Sequence, residues 1–403
     1  MLKLSHLFAV VTAAGALVVA SALLLLLGLL LAECFVALWP RQRSRQQQAA
    51  AISPKTKILI PAHNEVSCIQ KTLELLALQV ADPAEILLVA DNCTDNTAEI
   101  ARSFGVSVTE RSDLSRRGKG YALDHGLALL AKNPPDVVLI IDADCSVQPR
   151  AVEHLVNQAI ATQRPVQATY LMEQPAQPSL KDAVSAFAFK VKNLVRLKGL
   201  YQMGLPCPLT GTGMAFPWQA LEAVSLASGH IVEDMKLGLD LAIAGYPPAF
   251  CAEAQVLGQL PQDQAAAKGQ RTRWEHGHLQ MIKVYGLPTL VTAFRHGRFD
   301  LLMMGLDLCI PPLSLLVMVW TLCFLMAAIA AVVTAFWWPF ALLLAGGVCL
   351  AIAIVSAWLK FGRRDLSLQQ LLSVPFYVVG KIPVYLSALR EPQTEWVKTK
   401  RDA

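Results

Sequence analysis

Long apolar runs stand at both ends of the chain, and shorter apolar segments alternate with polar ones between them. No charged residue occurs at 8–32, and neither charged residues nor histidines occur between Asp307 and Lys360. About 20 apolar residues span the hydrocarbon core of a bilayer. The first run therefore predicts one transmembrane helix, and the second fits two, at 313–333 and 340–359. A cleaved signal peptide has an apolar core of only about 7–15 residues, so we expect the first helix to be retained.

The segment at 366–389 is apolar but interrupted. It contains Gln369, Gln370, Lys381 and two prolines, so its pattern fits a span, a re-entrant segment or a helix on the membrane surface. Basic residues follow the first and third predicted spans, and Lys398, Lys400 and Arg401 lie near the C-terminus. The positive-inside rule places all these basic groups in the cytoplasm, which makes 366–389 interfacial or re-entrant.

These patterns divide the chain into three parts. An N-terminal transmembrane helix with a basic linker occupies residues 1–50, a cytoplasmic domain 51–298, and a C-terminal membrane region 299–403. The protein is thus predicted to be a multi-pass protein of the inner or plasma membrane, with its middle domain in the cytoplasm.

In the middle domain, strand and helix patterns alternate. Strands are predicted at 57–61, 85–90, 106–110 and 137–141, and helices at 65–79, 95–104 and 118–131. Continuously apolar strands that alternate with helices indicate an α/β domain with a mostly parallel sheet covered on both faces.

Composition and charge narrow the possible partners. Hydrophobic residues make up 54% of the 403 residues and charged residues 16%, well away from the soluble average. The net charge of +5 arises from basic clusters beside the predicted spans, so we expect no nucleic-acid partner. The nine cysteines form no Cys-x-x-Cys pair, and a cytoplasmic domain keeps them reduced, so neither zinc nor disulfides are expected.

Three of the four predicted strands end in carboxylates. Glu65 follows the first strand and Asp91 the second, while Asp142 and Asp144 follow the fourth. The carboxyl ends of parallel strands meet at one edge of a sheet, where such sheets bind ligands. Two hard oxygen donors one residue apart suit a divalent cation that also binds a diphosphate. A Rossmann dinucleotide site and a P-loop are disfavoured because their glycine motifs are absent from the sequence.

Further motifs lie before and after the fourth strand. Lys119, in a basic glycine-containing loop before a helix, fits either a diphosphate contact or a solvated loop. The loop Gly211-Thr212-Gly213 allows either close approach of its backbone to a substrate or an ordinary turn. Glu233 and Asp234 begin a helix, where they either stabilise its N-terminus or supply a general base. An effective base here requires burial or close positioning.

A helical pattern at the end of the domain carries Gln270, Arg273 and Trp274 within one turn. Arginine offers a bidentate fork to diphosphate oxygens, and tryptophan offers a flat face on which a sugar ring stacks. The alternative is an amphipathic helix at the membrane surface. His276 and His278 just beyond are predicted to be polar surface residues rather than metal ligands.

In order, these motifs resemble those of the family 2 inverting glycosyltransferases, which include cellulose, hyaluronan and chitin synthases. Ceramide glucosyltransferase is a more distant relative. The resemblance covers about residues 55–285 and rests on 61–65, Asp91, 142–144, 211–213, 233–234 and 270–274.

The resemblance implies a GT-A fold, a nucleotide-sugar donor that is usually a UDP-sugar, and Mg²⁺ or Mn²⁺ held by Asp142 and Asp144. Asp234 would be the general base. Together with the roles inferred above from the residue types, the resemblance predicts these donor contacts: Glu65, Asp91, Lys119, Asp142, Asp144, Gln270, Arg273 and Trp274. The acceptor would contact Gly211, Thr212, Gly213, Glu233 and Trp274.

Three hypotheses for function follow. The first is a membrane-bound inverting glycosyltransferase that extends a β-linked surface glycan or exopolysaccharide. Three spans are few for an export channel within one protomer, so a homo-oligomer or an export partner would be required. The second is transfer of a single sugar to a membrane lipid acceptor, and the third is a non-catalytic subunit of a synthase complex.

Overall fold

The computed structural model describes residues 2–40, 54–173, 179–259 and 264–385. The predicted basic linker, the end of the interrupted segment at 386–389 and the basic C-terminal residues lie outside the described residues. An eight-stranded sheet with covering helices forms the middle of the molecule, and apolar helices form the two ends.

The sheet joins a parallel half to a mixed half. Its strands are β1 (Thr56–Ala62), β2 (Ile86–Asp91), β3 (Ser107–Arg111), β4 (Val137–Ile140), β5 (Cys145–Val147), β6 (Val166–Glu173), β7 (Met214–Pro217) and β8 (Ala249–Gln259). Their spatial order is β3-β2-β1-β4-β7-β6-β8-β5. The four strands predicted from the sequence form the parallel half. In the other half, β7 is antiparallel to β4 and β6, and β5 is antiparallel to β8.

Helices cover the sheet, join the domain to the membrane region and form that region. They are α1 (Leu2–Val36), α2 (Ile69–Ala77), α3 (Thr97–Ser103), α4 (Lys119–Leu130), α5 (Ala151–Thr162), α6 (Leu180–Lys190), α7 (Leu197–Gln202), α8 (Trp218–Glu222), α9 (Glu233–Ile243), α10 (Gln264–Met281), α11 (Leu287–His296), α12 (Phe299–Leu308), α13 (Leu313–Thr334), α14 (Trp338–Ala357), α15 (Leu368–Leu372) and α16 (Val374–Val379). A π-helical turn, Val191–Arg196, joins α6 to α7.

Both faces of the sheet are buried, which explains the continuously apolar strands. Ile58 and Ile60 of β1 pack in the core beneath α2, α3 and α5. Leu59 between them packs on the opposite face, in the core that includes residues of α4, α8 and α9. Successive side chains of a strand point to opposite faces, so every position of such a strand has to be apolar.

Two helices are shorter than predicted, because their first residues form loops at the carboxyl edge of the sheet. Helix α2 begins at Ile69 rather than at residue 65, and Asn64 before it has φ 55°. Helix α3 begins at Thr97, whose N–H donates to Asp95 Oδ1 at 3.1 Å. The polar residues of both loops therefore lie at this edge rather than within a helix.

Among the residues that the structure describes, three helices are long and apolar enough to cross a membrane: Val11–Val36 within α1, Leu313–Thr334, and Trp338–Gly362, which continues α14 through a π-helical turn. Helices α1 and α14 pack closely, since a Cβ on Gly346 would lie 2.9 Å from Leu27 Cδ1. These spans agree with the three predicted from the sequence.

The interrupted segment forms two short helices, α15 and α16, as far as Tyr385. Within the described part of this segment, no helix is long enough to span a bilayer. Ser367 and Gln370 form a capping box that starts α15. Lys381 then forms a salt bridge with Glu275 of α10, which fastens the segment to the middle domain.

A buried ionic cluster fixes the middle domain to the first membrane helix. Arg196 Nε donates to Glu33 Oε2 of α1 at 2.7 Å, and Arg196 Nη2 donates to Asp307 Oδ1 of α12 at 2.5 Å. All three residues are buried, and breaking such a cluster leaves an uncompensated charge in the interior. The membrane helices and the middle domain are thus directly packed together.

Candidate active site

The carboxyl edge of the parallel half opens into a cavity of about 980 Å³. Its wall includes every residue predicted for the site except Thr212 and Gly213. The lining residues among those predicted are Glu65, Asp91, Lys119, Asp142, Asp144, Gly211, Glu233, Asp234, Gln270, Arg273 and Trp274. Side chains far apart in the sequence therefore meet around one hollow.

Thr212 and Gly213 lie behind the cavity wall. Thr212 is fully buried, and its Oγ1 accepts a hydrogen bond from the Asp142 N–H at 3.0 Å. Gly213 has φ 65°, and a Cβ there would lie 2.9 Å from Ala168 Cβ and from Val256 Cγ2. Both residues were predicted to contact the acceptor, but the structure places them behind the wall, where their loop leads into β7. Thr212 there supports the backbone of Asp142.

Asp91 is held by a cation that the sequence analysis missed. Its Oδ1 accepts from Arg111 Nη1 at 2.6 Å and from Asn92 Nδ2 at 3.1 Å. Arg111 ends β3, where the strand register places it beside Asp91. The sequence does contain a signal for this pair, because β3 ends in the basic Arg111 and the neighbouring β2 ends in the acidic Asp91. Recognising it requires the register between the two strands.

The two loops that carry Glu65 and Asp91 are bonded together. The Thr94 N–H donates to Asn64 Oδ1 at 2.7 Å, and the Glu65 N–H donates to Thr97 Oγ1 at 2.8 Å. Both loops contain an asparagine in the left-handed region, with φ 55° at Asn64 and 52° at Asn92. These contacts fix the position of the buried Glu65 carboxylate beside the cavity.

Asp142, Asp144 and Cys145 place ligand atoms within 4.8 Å of one another. Burial raises the pKa of the Cys145 thiol well above its ordinary value, so it stays protonated and binds metal poorly. The two carboxylates fit a hard divalent cation, because Mg²⁺ binds through one or two carboxylates and takes its other ligands from water and phosphate. Both carboxylates line the open cavity, which gives room for those other ligands.

Lys119 lies among the carboxylates. Its Nζ is 2.5 Å from Asp142 Oδ1 and 3.7 Å from Glu233 Oε1, and it donates to the Gly211 carbonyl at 2.6 Å. Burial by itself lowers the pKa of the ammonium group, but the charges of Asp142 and Glu233 outweigh it and raise the pKa above its ordinary value. Lys119 therefore stays charged and neutralises this acidic cluster.

Glu233 and Asp234 begin α9 at the same end of the cavity. Burial raises the pKa of Glu233 to about 7, and burial also raises the pKa of Asp234. Gly211 has φ 100°, and a Cβ on it would lie 3.4 Å from Asp234 Oδ2. Asp234 thus has the burial and close positioning that a carboxylate base requires.

Helix α10 forms another wall of the cavity. Trp274 packs against Phe189, with ring centroids 5.6 Å apart, and Phe189 packs against Tyr170 at 5.3 Å. Gln270 Oε1 is buried and has no hydrogen-bond partner among the described residues. The wall therefore combines an aromatic face with a polar group available to a ligand.

The two histidines of α10 are buried, so the prediction of a polar surface position was wrong. His276 Nε2 is 3.2 Å from the Val384 carbonyl, and His278 Nε2 is 3.0 Å from the Leu308 carbonyl. Burial lowers the pKa of His278 to about 3, so its ring is neutral. Packing of the C-terminal segment and α12 over α10 buries them, which the local pattern could not indicate.

Another part of the cavity wall is mainly apolar and reaches helices long enough to cross a membrane. It includes Leu313 and Val317 of α13, Ile354 of α14, and Val374 and Val378 of α16. From the sequence, these residues were predicted only as parts of membrane segments. One cavity therefore joins the carboxylate cluster to a wall between helices long enough to cross a membrane.

Comparison with known proteins places this geometry in a family. The family model described as glycosyltransferase like family 2 matches residues 54–277. A probable glycosyltransferase, YdaM, from Bacillus subtilis (strain 168) is 25% identical over 57% of this chain and 56% of its own length. A 4,4'-diaponeurosporenoate glycosyltransferase from Staphylococcus aureus (strain USA300) is 34% identical over 25% of this chain and 27% of its own length. The chain spans little more than half of the first relative.

Among solved structures, a mannosyltransferase from Pyrobaculum calidifontis in complex with GDP-Man and Mn²⁺ is similar, with a TM-score of 0.50 and 16% identity. The match covers 86% of this chain and 99% of that chain, and at this identity it shows the fold alone. It agrees with the predicted GT-A fold. With its family match over 54–277, the chain belongs to glycosyltransferase like family 2.

Proposed function

We propose that the protein is a membrane-bound inverting glycosyltransferase that moves one sugar from a nucleotide-diphosphate donor to a membrane lipid acceptor. One observation carries this proposal: the carboxylate cluster and an apolar wall between membrane helices line the same cavity. An apolar wall suits a lipid tail, whereas a growing sugar polymer requires polar partners for its hydroxyls. Single transfer is therefore favoured over extension of a surface glycan.

The donor would occupy the polar end of the cavity. Glu65 and Asp91 suit the hydrogen-bond donors of a nucleoside, and we propose uridine on the family resemblance. Asp142 and Asp144 would hold Mg²⁺ or Mn²⁺, which when bound offsets charge on the leaving diphosphate. Arg273 and Gln270 of α10 would contact the diphosphate.

Asp234 would act as the general base. It would take the proton of an acceptor hydroxyl while that oxygen forms a bond to the anomeric carbon. The bond from the anomeric carbon to the diphosphate oxygen breaks, and its electron pair leaves with the nucleoside diphosphate. A single displacement inverts the anomeric centre, so an α-linked donor gives a β-linked product. Gly211 and Trp274 would face the acceptor and the sugar.

Support for a lipid acceptor comes from two further features. The cavity reaches Val317 in α13 and Ala351 in α14 as well as Asp234, so the tail of an amphiphile bound there would contact helices long enough to cross a membrane. In addition, one relative is named for 4,4'-diaponeurosporenoate, a single molecule rather than a polymer.

The test measures release of nucleoside diphosphate by the purified full chain across several UDP-sugars and GDP-sugars, with Mg²⁺, Mn²⁺ or a chelator. We expect release with a small subset of donors, loss on chelation and recovery with added metal. In parallel, a radiolabelled sugar is supplied with extracted membrane lipids, and the product is sized. An organic-extractable product carrying one sugar supports the proposal, and a polymeric product contradicts it.

A further inference from the structure

The π-helical turn Val191–Arg196 brings three polar residues to the cavity. Lys192, Asn193 and Arg196 all line the wall. The turn interrupts the helical run between α6 and α7, and such turns are frequent at functional sites. No motif of the sequence analysis includes these residues, and the proposed donor site does not require them.

Lys192 differs from three other cations of the same wall. Lys119 is paired with Asp142, Arg196 with Glu33 and Asp307, and Lys381 with Glu275. Lys192 forms no salt bridge with any residue in the described parts of the chain. An unpaired charge at the edge of an apolar cavity is costly, and binding of an anion would offset that cost.

Lys192 lies within electrostatic reach of the proposed base. Asp234, Asp307 and the cation Arg196 all exert an electrostatic effect on it. Burial lowers the pKa of its ammonium group, and the two carboxylates act in the opposite direction. Asp307 lies at the end of α12, next to the residues where the apolar wall begins.

Asn193 supplies a second polar group at this place. Its side chain is 2% exposed, and its Oδ1 has no hydrogen-bond partner among the described residues. A buried amide oxygen without a partner is unfavourable by about 1–3 kcal/mol, so a ligand that bonds to it has an energetic advantage. The cation and the amide are adjacent in sequence and face one cavity.

We propose that Lys192 binds an acidic group in the head of the acceptor, which is therefore an acidic amphiphile, and that Asn193 Oδ1 accepts a hydrogen bond from a hydroxyl of the same head. This inference rests on the proposed function and names the chemistry of its acceptor. The head would carry a phosphate or carboxylate for Lys192 and hydroxyls for Asn193 and Asp234. The hydroxyl proton passes to Asp234 and its oxygen bonds to the anomeric carbon, so the product keeps the acidic group. Lys192 binds the acceptor and takes no proton.

The experiment uses the full chain, a radiolabelled donor and lipids extracted from membranes of the producing organism. Anion-exchange chromatography separates the lipids into acidic and neutral fractions. We expect transfer to the acidic fraction, a product that the exchanger retains, and phosphorus analysis that distinguishes phosphate from carboxylate. Transfer to the neutral fraction alone overturns this inference and leaves the proposed function standing. Donor hydrolysis without transfer to any lipid fraction overturns both.

Variants test the residue itself. Lys192→Met should raise the apparent acceptor KM about ten- to hundredfold, because a hydrogen bond to a charged group is lost. Donor KM should stay unchanged, and Lys192→Arg should retain most of the acceptor affinity. The matched control is Lys198→Met, since Lys198 lies on α7 against the Phe361 ring and outside the cavity wall. An unchanged acceptor KM in Lys192→Met would refute the assignment.

A structural role for Lys192 makes a different prediction. A purely structural Lys192 would make Lys192→Met less stable, whereas a residue that only binds the acceptor should leave the melting temperature of Lys192→Met unchanged, because Lys192 is only partly buried. Asn193→Asp supplies a second readout, because a new negative charge beside Lys192 would compete with the acidic head. Its acceptor KM should rise while donor hydrolysis persists. A lower melting temperature in Lys192→Met with an unchanged acceptor KM would make the residue structural.

Discussion

The two ends of the cavity differ in composition and in how the chain assembles them. The proposed donor end consists of carboxylates at the ends of β1, β2 and β4, which are neighbours in one parallel sheet. The proposed acceptor end combines the turn Val191–Arg196 with α13, α14 and α16. Regular secondary structure brings the first set together, whereas packing of distant segments brings the second set together. Local sequence patterns therefore predict the residues of the donor end but very few of those at the acceptor end.

Asp234 lies where the two ends meet, and its substitution should have the largest effect. Asp234→Asn should lower kcat about 10²–10⁴-fold, the usual contribution of a general base, with little change in either KM. The measurement is steady-state transfer by purified protein. Asp240→Asn, on the same helix and paired with Lys236, is the control and should retain activity. A near-normal kcat in Asp234→Asn would show that Asp234 is not the general base.

The donor end should respond next. Asp144→Asn removes one oxygen ligand and should raise the apparent KM for both metal and donor at least about tenfold. Acceptor KM should not change, which would separate the two ends experimentally. Asp124→Asn, exposed on α4, is the matched control. An equal effect of both variants would argue against the proposed metal site.

A substitution at the acceptor end should change the acceptor KM but not the donor KM, and by a smaller factor. Ile354→Ala thins the apolar wall and should raise acceptor KM about three- to tenfold, because contacts with the tail are lost. Donor KM should remain constant. Ile352→Ala on the same helix is the control, since Ile352 is 45% exposed and lies outside the wall. An equal acceptor KM in the two variants would show that the lipid tail does not bind against this wall.

The smallest effect concerns pH and stability. Burial raises the pKa of Glu233 from 4.5 to about 7, so the folded state favours its protonated form. This contribution to stability is complete below pH 4.5 and is lost as the pH rises to about 7. Glu233→Gln lacks this loss, so its melting temperature should improve relative to wild type across that range. A constant difference would show that Glu233 is not protonated in the folded protein.

Several elements were predictable because local physics determines them. The strands β1, β2 and β4 are largely buried and therefore read as apolar runs, and the apolar helices at the two ends are long enough to stand out by length alone. The carboxylates followed from the strands, since side chains at the ends of parallel strands share one edge. These predictions required no knowledge of the other half of the sheet.

Other elements depend on distant partners. The mixed half of the sheet includes the three-residue strand β5, and β8 pairs with β6 through a register shift at Ala168 and Thr169. The burial of His276 and His278 depends on α12 and the C-terminal segment. The pairing of Arg111 with Asp91 depends on the register between β2 and β3. None of these leaves a periodic signal within its own segment.

The sequence alone determined the three spans, the α/β middle domain and the acidic edge of its sheet, because each depends on neighbours within about twenty residues. Only the tertiary structure decided which side chains share a cavity, that Thr212 supports Asp142 from behind, and that Lys192 lines the same cavity as apolar residues of α13 and α14. Burial and charge pairing are set by residues far away along the chain, so no local pattern encodes them.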